Sequence, residues 1–147
     1  NFDKNLIPLF EEEGVCLHGN GKIIKNIGFY GFGGARTPFQ TPLEPSEEEI
    51  YLGLKRGFEK IKEAEVKIQV THMPPKNTSL DIITSGLHVG SEVIRKFIEE
   101  VKPSVAVSAH IHEARGIDKI NNTFLINSGR FPEGYFGFNY KKNNGNK

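Results

Sequence analysis

Ser104-Val105-Ala106-Val107-Ser108-Ala109-His110-Ile111-His112 reads as a short buried strand that ends on a His-x-His pair. Upstream, Val66-Lys67-Ile68-Gln69-Val70 alternates apolar and polar residues, and Thr71-His72-Met73-Pro74-Pro75 follows at once. Alternation of period two marks a strand, so a second strand also ends on a histidine. In open α/β sheets, ligand sites gather at the carboxyl ends of the strands. Two strands thus bring imidazoles to one edge. Residues i and i+2 of an extended segment face the same side, so His110 and His112 could reach one metal or two adjacent metals. Nitrogen and oxygen donors of this kind suit Mn, Fe, Zn, Co or Ni.

The elements around these strands follow from local signals. Ser46-Glu47-Glu48-Glu49 is a capping box, and Ile50, Leu54, Phe58 and Ile61 recur behind it at helical spacing. Ser91 caps a second helix, whose apolar face is Val93, Ile94, Phe97, Ile98 and Val101 and which Pro103 ends. Between strand and helix, a loop runs from Thr71 through Gly90 and carries His88. Ile117 to Ile120 and Thr123 to Ile126 flank an Asn121-Asn122 turn. Nearer the start, Asn20-Gly21 predicts a hairpin turn between Val15-Cys16-Leu17 and Ile23-Ile24, with a second short turn at Lys25-Asn26 before a strand at 27–32. A short helix over Leu6, Ile7, Leu9 and Phe10 stops at Gly14, and Gly134 to Tyr140 reads as an aromatic-rich strand. Strands alternating with helices, then consecutive hairpins, predict an α/β fold with a mixed sheet. Residues 1–140 read as a single domain and 141–147 as a polar tail.

Composition narrows the function classes. With 147 residues, 19 basic and 18 acidic side chains, the net charge is +1. An electrostatic nucleic-acid binder would show a basic stripe instead. The apolar runs are too short for a membrane span or a signal segment. The single cysteine, Cys16, excludes an intramolecular disulfide framework and fits a reducing, cytoplasmic compartment. The chain begins at Asn1 and its one methionine is Met73, so residues are expected upstream.

In combination, these motifs resemble the calcineurin-like metallophosphoesterases, in particular their small prokaryotic and archaeal-type branch. The residues that carry the likeness are Thr71-His72-Met73-Pro74-Pro75, Asp81, Gly86-Leu87-His88-Val89-Gly90-Ser91, Ala109-His110-Ile111-His112-Glu113-Ala114 and Asn127-Ser128-Gly129. Pro38-Phe39-Gln40-Thr41-Pro42 with Ser46-Glu47-Glu48-Glu49, and Asn1-Phe2-Asp3 as the end of a Gly-Asn-x-Asp motif, agree with it. The resemblance implies a four-layer α-β-β-α sandwich with mixed sheets, of which this chain supplies the part after the N-terminal strand-helix portion. It also implies two divalent metals (Mn, Fe, Ni, Zn or Mg), with Asn1, His72 and His110 on one and His112 on the other. The family's remaining ligands, an Asp-x-His pair and a Gly-Asp motif, are expected upstream of Asn1. The implied reaction is hydrolysis of a phosphodiester or phosphomonoester of a small molecule by metal-activated water.

Many relatives carry a histidine between the asparagine and aspartate of Gly-Asn-x-Asp, a candidate acid for the leaving group. Phe2 stands there and has no proton to give. His88 is the candidate replacement, in a glycine-flanked loop leading to a helix N-terminus that could bind phosphate through its free N–H groups. Asp81 could orient His72 or His88, or simply cap or face solvent. Glu113 and Arg115 read as a solvated loop face, His18 as a surface residue and Cys16 as a packing residue. Two other readings remain open: a non-catalytic interaction module or inactive fragment on the same fold, and a single-metal structural site. A sheet lacking its neighbour would leave an exposed edge and an apolar face, which favours self-association into a homo-oligomer.

Overall fold

The computed structural model describes residues 17–33, 44–109 and 111–127, apart from the side chain of His112. The Leu6–Phe10 helix, Cys16, the Pro38–Pro42 motif and the 134–140 strand lie outside these residues. Six strands form one mixed sheet. They are β1 (Asn20–Ile24), β2 (Ile27–Phe32), β3 (Val66–Thr71), β4 (Val105–Ser108), β5 (Gly116–Ile120) and β6 (Thr123–Asn127). Helix α1 (Glu47–Ile61) joins β2 to β3, and α2 (Glu92–Val101) lies between β3 and β4. The spatial order is β1-β2-β3-β4-β6-β5. The central strands β2, β3, β4 and β6 run parallel, while β1 and β5 close the edges antiparallel.

Both helices start where the sequence places them. The Ser46 side chain accepts from Glu49 N–H at 3.0 Å, and Glu49 accepts from Ser46 N–H at 2.9 Å, so the capping box is complete. Ser91 Oγ accepts from Ile94 N–H at 3.1 Å. The α2 end is sharp: Lys102 adopts φ 51 and donates its N–H to the Ile98 carbonyl, and Pro103 follows.

Of the two turns expected near the start, the one at Lys25-Asn26 forms and the one at Asn20-Gly21 does not. Asn20 and Gly21 begin β1 instead of forming a turn; the reversal falls at Lys25 and Asn26, with φ 50 and 69. A two-residue hairpin loop with positive φ at both positions matches the twist of the flanking strands. Gly21 is required for a different reason. A Cβ there would sit 2.3 Å from the Gly57 carbonyl oxygen, because α1 crosses β1 backbone to backbone. The glycine serves close packing and not turn geometry.

The sheet has two unlike faces. Pleating and register put Tyr30, Gln69, Ala106 and Leu125 in one row across β2, β3, β4 and β6. Both helices cover this face. Tyr30 meets Phe58 and Phe97 edge-on, with ring centroids 5.5 and 5.9 Å apart. Such geometry lets the positive ring edge meet the negative ring face. The Tyr30 hydroxyl donates to Gln69 Oε1 at 2.9 Å, and burial pushes that phenol far above its ordinary range. The opposite face carries Phe29, Ile68, Val105 and Phe124 in one row, and Val70, Val107, Ile126 and Ile117 in the next. It is half-covered at best, with Phe124 at 53% and Ile117 at 59% exposure. The helices and this sheet are two of the layers that an α-β-β-α sandwich requires. Among the described residues, no helix is long and apolar enough to cross a membrane.

Candidate functional site

The carboxyl ends of β2, β3, β4 and β6 lie side by side, because these strands are parallel neighbours. Phe32, Thr71, Ser108 and Asn127 are their last residues. His72 leaves β3 with its N–H directed to the Phe32 carbonyl at 3.4 Å, and its own carbonyl accepts from Ala109 N–H at 3.0 Å. His72 is thus tied on one side to β2 and on the other to the residue before His110. The two strand ends that the sequence singled out are fastened together by backbone.

The segment after β4 is not extended throughout, as the i, i+2 reading of His110 and His112 assumed. Ile111 is extended, with φ −90 and ψ 92, but His112–Ala114 form one 3-10 turn. The cause lies in β6. The Asn127 amide, buried at the end of β6 after the apolar run Phe124-Leu125-Ile126, donates to the carbonyls of Ile111 (2.8 Å), Ala114 (3.1 Å) and Leu80 (3.2 Å). It draws both ends of the turn inward and fastens the loop after β3 to the same point.

That loop is organised by Asp81, which is fully buried. Its Oδ1 accepts from Thr78 N–H at 3.0 Å and lies 2.6 Å from His88 Nδ1. Its Oδ2 accepts from Asn77 N–H at 3.0 Å and Gly90 N–H at 2.9 Å. A carboxylate has about four lone-pair sites, and all are used. His88 pairs across a small antiparallel bridge with Ile82, around a tip closed by Gly86 N–H to the Ile83 carbonyl. Gly86 has φ +88, which explains the glycine at that tip. Of the two histidines that Asp81 could have served, it takes His88.

Two further contacts seat the loop on the neighbouring turn and strand. Thr84 N–H donates to Glu113 Oε2 at 3.1 Å, and Ser79 N–H to Asp118 Oδ2 at 2.7 Å. Partial burial pulls the Asp118 carboxyl upward, yet the backbone N–H groups of Ser79 and Lys119 outweigh it and hold it below the usual range. The Ser79 tether is therefore present at neutral pH and weakens only in acid.

The phosphate cradle expected at the second helix does not fit. Ser91 Oγ already caps α2 and donates to Glu47 Oε2 at 3.2 Å, so a carboxylate already stands at that helix end. It supplies the negative charge that the helix dipole favours. His18, read from sequence as a surface residue, is half-buried: Gly33 N–H donates to its Nδ1 at 3.0 Å, and its ring packs on Phe32 at 4.3 Å. It pairs with Gly31 beside the carboxyl end of β2. Sequence gave no signal for it. For Asn127 there was one: a lone amide closing the apolar run Phe124-Leu125-Ile126.

Of the expected metal ligands, His72 is described; Asn1, His110 and the His112 side chain lie outside the described residues. Among the described residues, no three His, Cys, Asp or Glu side chains converge on a cation position. The chemistry of the donor set nevertheless fits a divalent ion. His72 supplies a borderline nitrogen donor on a strand end held by hydrogen bonds on both sides, one of them from Ala109 N–H.

Comparison with known proteins agrees with this geometry. The family model for metallophosphoesterases of the calcineurin superfamily matches residues 16–144, and the chain belongs to that family. An uncharacterised protein of Methanocaldococcus jannaschii is 45% identical over 127 residues, covering 83% of this chain and 56% of its own length. One solved crystal structure is similar at TM-score 0.65 and 25% identity, covering 80% of this chain and 47% of that one. A Thermus thermophilus protein is similar in fold at TM-score 0.57 and 19% identity, covering 81% of this chain and 52% of that one. The chain thus spans about half the length of the relatives it matches.

Proposed function

We propose that this chain forms part of a divalent-metal-dependent, cytoplasmic phosphoesterase that hydrolyses small-molecule phosphodiesters or phosphomonoesters. The observation that carries the reading is the backbone bond from Ala109 N–H to the His72 carbonyl, which joins two histidine-bearing strand ends at one sheet edge. Membership of the calcineurin superfamily supports the same chemistry. His72, His110, His112 and Asn1 would hold the metals. When bound, such ions neutralise phosphate oxygens and make water a strong nucleophile near neutral pH. The protein's own part is to hold the imidazoles at the strand ends, keep the substrate phosphate at that edge, and protonate the leaving oxygen. His88 is the residue for that last role, because Phe2 cannot perform it.

The experiment is hydrolysis of bis(p-nitrophenyl) phosphate by the intact protein supplied with Mn2+. Activity that chelation abolishes and Mn2+ restores is expected. His72→Ala should lower kcat/KM at least about 100-fold, since even residues behind the ligands cost ~10–100-fold. Metal-independent turnover, or full activity in His72→Ala, contradicts the reading and favours a non-catalytic module.

A further inference from the structure

We propose that Asp81 is a positioning residue for His88: its buried carboxylate fixes the imidazole with its proton on Nδ1 and turns Nε2 towards a bound phosphate ester. The proposal rests on the phosphoesterase reading above and adds a residue and a tautomer to it.

The carboxylate is set before the histidine is considered. Three backbone N–H groups, from Asn77, Thr78 and Gly90, donate to its two oxygens. They compensate much of the cost of taking a charged group out of water. They also fix its orientation, so the one acceptor site left on Oδ1 points at His88 Nδ1, 2.6 Å away. An ionised carboxylate only accepts, so Nδ1 must carry the hydrogen. The hydrogen bond made by one ring nitrogen sets the state of the other. In the neutral ring, Nε2 then bears the lone pair; in the protonated ring, it bears the second proton. Both forms keep the tether to Asp81.

The ring is also aimed. With Nδ1 against a carboxylate of 0% exposure, ring geometry puts Nε2 on the far side, and the His88 side chain is 35% exposed. The backbone cannot swing away, because His88 pairs with Ile82 and Val89 N–H donates to the Asp81 carbonyl at 3.0 Å. The same loop is fastened to the 3-10 turn that begins at His112, through Thr84 N–H to Glu113 and through Asn127 to Leu80. Loop closure alone would need only the three backbone donors. The fourth is spent on an exposed ring.

The step assigned to the pair is balanced as follows. The oxygen of water forms a bond to phosphorus as the ester P–O bond breaks. The leaving oxygen keeps that bond's electron pair and takes the proton from Nε2. The ring is left neutral with its Nδ1–H still on Asp81, and the proton released by the attacking water passes to solvent, from which Nε2 is recharged.

The test uses the intact protein with Mn2+ and two phosphodiesters, one with a phenyl and one with a p-nitrophenyl leaving group. His88→Ala and Asp81→Asn should each lower kcat about 100-fold on the phenyl ester, within the ~10²–10⁴ range of general acid catalysis, with KM nearly unchanged. The p-nitrophenyl ester, whose leaving group needs little protonation, should lose far less. In the His88→Ala background, Asp81→Asn should cost nothing further. Equal losses from Asp81→Asn in both backgrounds would overturn the positioning role and leave Asp81 as a loop fastener. Full turnover of the phenyl ester by His88→Ala would overturn the role of His88 and the pair with it. No metal-dependent turnover by the wild-type protein would instead overturn the phosphoesterase reading and the proposal that rests on it. An independent readout needs no turnover and no variant: ring 15N spectra of the wild-type protein should show neutral His88 with its proton on Nδ1. A proton on Nε2 would overturn the proposal outright.

Discussion

The loop that leaves β3 is tied to a carboxylate of its own, whereas the turn that leaves β4 is tied to a side chain of the neighbouring strand β6. Asp81 gathers Asn77, Thr78, His88 and Gly90 from within one loop. Asn127 reaches out of β6 to the carbonyls of Leu80, Ile111 and Ala114. The contrast follows from chain length and from donor chemistry. A long excursion exposes many backbone N–H groups, and an acceptor with four lone-pair sites satisfies several at once. A short turn leaves carbonyls unpaired, and an amide donor at the strand end serves them. At their roots the two are joined by the backbone bond from Ala109 N–H to the His72 carbonyl, and farther out Thr84 N–H donates to Glu113.

The largest effect should come from the internal anchor. Asp81→Ala orphans three backbone N–H groups and frees His88. At ~1–3 kcal/mol for each buried donor left unmade, and with water rescuing some, it should destabilise the protein by about 3 kcal/mol in urea unfolding. Asn127→Leu removes the donor to three carbonyls, which tolerate loss better because each oxygen has a second lone pair. It should cost about 2 kcal/mol and speed amide exchange at Ala114 more than at Val89. A larger loss from Asn127→Leu than from Asp81→Ala would reverse the ranking. Glu113→Ala breaks only the exposed link and should fall within about 0.5 kcal/mol of wild type. A loss near that of Asn127→Leu would mean that the two loops stand as one unit.

Much of this architecture could be read from residues alone. The capping box at Ser46, the cap at Ser91, the strands ending before His72 and Ala109, and the turn at Asn121 all depend on local chemistry, and local chemistry is what a sequence displays. The turn expected at Asn20-Gly21 shows the limit. Asn20-Gly21 has the composition of a turn, but Gly21 answers to α1, which packs against it from far along the chain. His18 and the kink at His112 were illegible for the same reason: each depends on a partner from another strand, Gly33 and Phe32 for one and Asn127 for the other. The α2 N-terminus looked open because nothing local announces that Glu47 will stand there. Asp81 sat between two possible histidines, and only the fold chose His88.

The sheet's open face belongs to the same lesson. Its alternation is legible, but the Lys119 ammonium 5.1 Å above the Phe124 ring depends on the pairing of β5 with β6. The relatives are about twice as long as the matched region, so the intact protein is the proper object for every functional assay.

The most direct test of the account is the divalent-metal content of the intact protein, by elemental analysis after loosely bound ions are removed. The account predicts about two ions per molecule, as a two-metal hydrolase requires, with fewer retained in His72→Ala. One ion or none per wild-type molecule would contradict it.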